Sequence, residues 1–153
     1  MRKLLLLLTL SLALGATAQQ TGSVRIYGYM RPSHPGIVPA SHPNATLADY
    51  LVYLAIPRNG GFRLRTVSIG GKAYEFRTEA LASPVSYVNR NLPQNPRTET
   101  LVPKHSGRTF QVLIDKAPNR PGAGPLRLVY NWNGKTYSKT LKEWKELEPV
   151  MNQ

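Results

Sequence analysis

The sequence predicts an all-β protein, an antiparallel β-sandwich of about seven to nine strands. Apolar and polar residues alternate with a period of two in several short segments, as they do in half-buried strands. Gly-Gly and Asn-Gly pairs join neighbouring segments at the spacing of tight hairpins. Turn signals recur about every 8–15 residues along the rest of the chain. At most one short helix fits this pattern.

The first two predicted strands lie on either side of a proline-rich segment. Residues 23–30 alternate between an apolar face and a face of arginine and tyrosine, which predicts a strand. Residues 31–46 contain four prolines, which lack amide donors, and this segment is predicted to be a loop with extended stretches. Residues 48–56 are apolar on both faces and predict a central strand, with a helix starting near Thr46 as the alternative.

Residues 62–77 predict a hairpin around Gly70-Gly71, because two glycines supply the positive φ values of a two-residue turn. This register places Val67 opposite Tyr74, with Phe76 on the same face. The apolar residues before Val67 are out of phase with it, so a bulge is predicted near Arg65-Thr66.

The second half of the chain continues the pattern. Residues 85–88 predict a short strand, 89–107 a long loop with one short strand, and 109–114 a further strand. The last hairpin, 126–141, turns at Asn133-Gly134, the preferred filling of a type I′ turn, and pairs Tyr130 with Tyr137. In residues 141–148 apolar residues recur every three positions. This predicts a short C-terminal helix, with a continuing strand as the alternative.

An immunoglobulin-like sandwich is the usual form of such a chain, and a small barrel is the alternative. The chain has no cysteine, which excludes disulfides and thiolate sites. The core must therefore hold the fold, and residues 19–153 are long enough to form one domain with such a core. No cofactor-binding motif is present, since neither Gly-Gly pair has dinucleotide or P-loop spacing.

Residues 1–18 predict a secretory signal peptide. Two basic residues precede an apolar stretch of about 11 residues, which is shorter than the roughly 20 residues of a membrane-spanning helix. Ala16 and Ala18 fit the pockets of signal peptidase, so the mature chain is expected to begin at Gln19. We therefore expect export to a periplasmic or extracellular location, which includes the cell surface and the medium, no transmembrane segment in the mature chain and, without a cysteine, no lipoprotein anchor.

Removing the signal peptide leaves 18 basic against 8 acidic residues, a net charge of +10. A field of this sign attracts polyanions. The expected partners are an anionic polysaccharide, a lipopolysaccharide or an envelope protein. Long loops on a rigid scaffold are where binding residues concentrate. The sequence thus predicts a basic rim, formed by Arg90, Arg97, Lys104, His105 and Arg108.

Catalytic and metal sites have little support in the sequence. Three imidazoles, those of His34, His42 and His105, could bind zinc or copper, but the pair His34 and His42 is eight residues apart in a proline-rich segment rather than at the spacing of a preorganised site. No nucleophile elbow is present. We therefore expect a non-enzymatic binding or envelope-assembly module. One alternative is a small secreted hydrolase that uses carboxylates or histidine, with an acid converging on a histidine or on a second acid in a pocket. The other is an adhesin or fibre subunit that pairs a strand, from 19–23 or 149–153, with another chain.

Overall fold

The structure, a computed structural model, describes residues 24–34, 46–89 and 97–151, and its regular elements there are all β-strands. In chain order these strands are β1 (Arg25–His34), β2 (Leu47–Ile56), β3 (Phe62–Ile69), β4 (Lys72–Tyr74), β5 (Phe76–Leu81), β6 (Val85–Asn89), β7 (Arg97–Val102), β8 (Arg108–Ile114), β9 (Leu126–Trp132), β10 (Lys135–Leu141), β11 (Lys145–Glu146) and β12 (Val150–Met151). They form three sheets, and none of these closes into a barrel within the described ranges. The all-β prediction is confirmed.

The largest sheet has the order β11-β1-β2-β8-β5, and β12 also pairs with β1. The pairs among β1, β2, β8 and β5 are antiparallel, whereas β11 and β12 run parallel to β1. Strand β2 is central, which explains why the 48–56 segment is apolar on both faces. Val52 and Leu54 are fully buried on one face and Tyr53 is buried on the other. The strand prediction for this segment is confirmed over the helix alternative.

The four-stranded sheet, in the order β10-β9-β3-β4, contains both predicted hairpins. Val67 pairs with Tyr74 and Tyr130 pairs with Tyr137, as the turn residues predict. Gly70 and Gly71 have positive φ values, which the tight turn requires. The β3–β9 register shifts between Leu64 and Thr66, so the predicted bulge is also confirmed.

Two apolar clusters cover the two faces of the large sheet. The first joins it to the four-stranded sheet, with Val52 and Leu54 beside Leu126 and Leu128. The second lies on the opposite face, where the third sheet, the β6–β7 hairpin, covers the tyrosines of β1 and β2. Tyr29 is therefore a covered residue, and its hydroxyl donates a hydrogen bond to the Leu101 carbonyl oxygen at 2.5 Å.

The segment predicted as one strand, 72–77, divides at Glu75. Tyr74 ends β4 in the four-stranded sheet, and Phe76 begins β5 in the large sheet. At the crossing, the Glu75 carbonyl oxygen accepts a hydrogen bond of 2.8 Å from the Asp115 N–H. Both aromatic rings still pack against the first cluster, as their predicted common face implies.

The loop prediction for 31–46 is wrong at its start, because β1 continues to His34 and Ser33 pairs with Leu47. Pro32 is accommodated because the parallel ladder is interrupted there. β11 pairs with Tyr29 and Met30, whereas β12 pairs with Ser33 and His34. Residues 35–45 lie outside the described part, as do residues 1–23.

The predicted C-terminal helix is wrong, since residues 145–146 form β11 instead. Leu141 and Trp144 pack against the first cluster, but Leu147 belongs to the second. The apolar residues that recur every three positions therefore pack against two different clusters and do not form one face of a helix. The Trp144 indole N–H donates a hydrogen bond to the Gly124 carbonyl oxygen at 2.7 Å, which anchors the segment. The tail pairs within its own chain through Val150–Met151.

Candidate functional site

Three loops meet at one end of the large sheet and the four-stranded sheet. The Asn133 N–H donates to the Gly61 carbonyl oxygen at 2.9 Å, and the Gly61 N–H donates to the Asn133 side-chain oxygen at 2.9 Å. On the other side, the Arg108 guanidinium donates to the Gly60 carbonyl oxygen at 3.1 Å. We call residues 57–61, 103–108 and 133–135 the basic loop end.

Gly60 lets the 57–61 loop lie close to the Trp132 ring. Gly60 has a φ of +115°, and a Cβ there would lie 2.6 Å from the Trp132 ring. Asn133 has a φ of 48°, a conformation that asparagine tolerates better than most residues. The loop end is thus held by local backbone chemistry as well as by the hydrogen bonds between its loops.

His105 organises the loop between β7 and β8. Its Nδ1 accepts a hydrogen bond of 3.1 Å from the Gly107 N–H, and its Nε2 lies 2.8 Å from the Thr109 hydroxyl. Its carbonyl oxygen accepts a bond of 3.3 Å from the Ser83 hydroxyl. Both ring nitrogens are therefore engaged, and His105 acts as a structural residue of the loop.

Charge is distributed unevenly between the two ends of the sheets. The basic loop end contains four cationic residues, Arg58, Lys104, Arg108 and Lys135, and no carboxylate. At the opposite end, the segments 70–75, 115–125 and 142–144 contain four cations and three carboxylates. The net charges are therefore +4 and +1, so the basic loop end carries the stronger positive field of the two.

A row of aromatic side chains runs beneath the basic loop end. Phe62 lies 6.4 Å from Trp132 and 5.4 Å from Tyr130, and Tyr130 stacks on Tyr137 at 5.8 Å. Burial raises the pKa of the Tyr130 phenol, and the neighbouring Tyr137 raises it further. Tyr137 is 43% exposed, so one end of the row faces solvent.

The two lysines on either side of Tyr137 differ in whether their ammonium group already has a hydrogen-bond partner in the protein. The Lys139 ammonium donates a hydrogen bond of 2.7 Å to the Val24 carbonyl oxygen. Lys135 is exposed and lies opposite Trp132 across the hairpin. Of the two, Lys135 is the one free to contact a ligand.

The structure brings together part of the predicted basic rim. Lys104, His105 and Arg108 lie in the basic loop end. Arg97 begins β7, about 17 Å along the strand from Val102. Its guanidinium is 3.6 Å from the Glu148 carboxylate. Arg90 lies outside the described residues. A binding role for the set remains a prediction.

Sequence reasoning did not place Arg58 and Lys135 in the rim. Both residues lie within two positions of a glycine in a tight turn, and both are exposed. Turn-flanking cations are the signal that could have identified them. What the sequence does not show is that the two turns bond to each other.

No metal centre emerges in the described part of the chain. His34 pairs through its backbone with Met151, and His42 lies outside the described residues. No group of three His, Asp or Glu residues is close enough to bind a metal ion among the residues described. Glu75 and Asp115 line a shallow concavity of about 510 Å³ with Lys72 and Lys116, but no histidine lines it.

Comparison of the chain with protein-family models, with curated proteins and with solved structures finds no match. In the residues that the structure describes, no helix is long and apolar enough to span a membrane. Function must therefore be argued from the geometry and charge of the surface itself.

Proposed function

We propose that this protein is an exported, non-enzymatic binding module with an immunoglobulin-like antiparallel β-sandwich fold. Its basic loop end binds a polyanion, either an anionic polysaccharide or the anionic sugar–phosphate part of a lipopolysaccharide. The observation that carries the proposal is a set of four cationic residues, without a carboxylate, on three loops of which 57–61 bonds to the other two.

The bonding between the loops matters for affinity. A preorganised set of cations loses less conformational entropy on binding than cations on independent loops. Arg58, Lys104 and Lys135 have no ion pair with the described residues, so an anionic ligand would not have to displace a carboxylate. The interaction is expected to weaken as salt rises, because these charges are exposed.

The proposal is tested by comparing two triple variants that remove the same charge. R58A/K104A/K135A removes three of the four cations of the basic loop end. It retains Arg108, whose guanidinium bonds to the Gly60 carbonyl oxygen. K72A/R120A/K142A removes three cations from the opposite end. Heparin and purified lipopolysaccharide serve as probes, and affinity is measured at low and high salt.

We expect the first variant to bind about 10–100-fold more weakly, because each exposed charge contact contributes about 0.5–1 kcal/mol. The second variant should bind within about threefold of the wild type, the loss from a single weak contact of this kind. Equal losses in the two variants would show that only net charge matters, and the loop end would not be a site.

An envelope protein with an acidic surface is the alternative partner. A pull-down from envelope extract with the mature chain distinguishes the two, since a polymer and a single defined protein are recovered as different species. Export itself is tested by sequencing the N-terminus of protein recovered outside the cytoplasm. Cleavage after Ala18 is expected, and an intact Met1 in that fraction would contradict the signal peptide.

A further inference from the structure

The outer face of the four-stranded sheet carries a regular array of polar side chains. Strand pairing aligns three rows across β10, β9 and β3. The rows are Thr136–Asn131–Arg63, Ser138–Val129–Thr66 and Thr140–Arg127–Ser68. Paired residues of antiparallel strands point to the same side, so these nine side chains share one face. We call this the open face.

No other element covers the open face in the described part of the chain. Six of its nine residues are exposed and the other three, Asn131, Val129 and Ser68, are partly buried, whereas the opposite face of the same sheet forms the first core cluster. Val129 is its one large apolar residue, so it lacks the apolar centre of a protein–protein interface. It also has no aromatic residue, and bases of a single-stranded nucleic acid would find nothing on which to stack.

The charges of the open face have one sign. Arg63 and Arg127 lie in the array, and the bulge places exposed Arg65 beside Thr66. None of these three guanidinium groups has an ion pair or a side-chain hydrogen bond with the described residues. No carboxylate lies in the three rows. Unpaired guanidinium groups on such a face are ready to bind anions bidentately.

The remaining positions supply hydroxyl and amide groups. The Thr136 hydroxyl donates to the Asn131 side-chain oxygen at 3.0 Å, and the Ser68 hydroxyl to the Arg127 carbonyl oxygen at 3.4 Å. Neighbouring strands are about 4.8 Å apart and alternate residues about 6.8 Å apart. The array thus spans roughly 10 by 14 Å, an extended surface and not a point site.

We propose that the open face binds a linear anionic polysaccharide lying flat along the sheet. The guanidinium groups of Arg63, Arg65 and Arg127 would pair with its carboxylate or sulfate groups, and the threonine and serine hydroxyls would bond to its sugar hydroxyls. The inference rests on the proposed function for the class of ligand. The first row adjoins the basic loop end, since Thr136 follows Lys135, so one polymer chain can contact both surfaces.

The test uses a heparin-derived dodecasaccharide and variants that remove charge but keep a polar side chain. R63Q/R127Q is compared with K72Q/K142Q, which removes the same charge at the opposite end. T136V/T140V removes two hydroxyls without changing charge and keeps strand-favouring residues. Circular dichroism and the urea midpoint confirm that each variant is folded.

We expect R63Q/R127Q to weaken binding about tenfold and the control pair less than threefold. T136V/T140V should weaken binding severalfold at unchanged net charge. If both face variants bind as the control pair does while R58A/K104A/K135A loses affinity, the open-face inference fails and the proposed function stands. If the loop triple keeps its affinity and the face variants lose it, the loop end is not the site but the open face is.

The class of polymer is tested separately. A single-stranded oligonucleotide of matched charge should bind more weakly than the dodecasaccharide and should be insensitive to T136V/T140V. Equal affinity, with the same sensitivity, would overturn the assignment to a polysaccharide. Amide chemical shifts should move on β9 and β10 when the saccharide is added, and shifts confined to the basic loop end would also overturn it.

Discussion

Gly61 and Asn133 exchange two hydrogen bonds of 2.9 Å across two turns that are 72 residues apart in the chain. One bond uses the Asn133 backbone N–H and the other its side-chain oxygen. The asparagine thus closes its own hairpin with a positive φ and also fixes the neighbouring loop, which carries Arg58. The position of the loop that carries Arg58 relative to the 133–135 turn therefore depends on this contact.

Replacing Asn133 should therefore affect stability by two separable routes. Asn133→Ala removes the side-chain hydrogen bond. It also places alanine, which has no polar side chain to stabilise a left-handed backbone, at a φ of 48°, so a loss of about 2–3 kcal/mol in the free energy of unfolding is expected. Asn133→Gly removes the same bond at a tolerated φ, and a loss of about 1 kcal/mol is expected. Urea unfolding measures both, and equal stability of Asn133→Gly and wild type would show that the side-chain bond contributes nothing.

Three glycines that lack a positive φ provide a graded test of packing. A Cβ on Gly107 would overlap the Ile56 backbone carbonyl oxygen, which cannot move alone, so Gly107→Ala should cost about 2–3 kcal/mol. A Cβ on Gly28 would meet a methyl group of Leu141, which can change rotamer, and would lie 3.1 Å from the Trp144 ring, which must shift slightly, so about 1–2 kcal/mol is expected. Gly61 has open space and Gly61→Ala should stay within about 0.5 kcal/mol. Any other order of the three losses in urea unfolding contradicts this account.

The hairpins were predictable because their information is local. Asn-Gly at 133–134 selects the turn, the turn fixes the register, and the register places Tyr130 opposite Tyr137. Likewise the bulge near Arg65 follows from the phase of the apolar residues in a single strand. In each case a few consecutive residues determine the outcome.

The features that sequence reasoning missed depend on contacts between distant segments. The crossing at Glu75 is bonded by the Asp115 N–H, and the continuation of β1 past Met30 pairs with β2 on one side and with β12, from the far end of the chain, on the other. The basic loop end is of the same kind, since Arg58 and Lys135 are neighbours of turns that only the folded chain brings together. Alternation within a strand carries no information about which loops will meet.

The hydrogen bonds of His105 predict its tautomer. The Gly107 N–H donates to Nδ1, so Nδ1 must be unprotonated and the proton of a neutral ring must be on Nε2, facing the Thr109 hydroxyl. Nitrogen-15 chemical shifts at neutral pH should show Nε2–H for this residue. A dominant Nδ1–H form would mean that the loop between β7 and β8 is arranged differently, and Ser83→Ala, which leaves the ring bonds intact, should not change the tautomer.

Alkaline pH should destabilise the fold through its covered tyrosines. Burial raises the pKa of the Tyr53 phenol, and nearby Arg31 lowers it only in part. Above about pH 10 the unfolded chain therefore releases this proton more readily than the folded chain, and stability falls as pH rises. Tyr53→Phe should reduce that fall between about pH 9.5 and 11 in urea unfolding, whereas Tyr29→Phe also loses the bond to Leu101 at neutral pH. An alkaline profile of Tyr53→Phe identical to that of the wild type would rule out Tyr53 as a source of the effect.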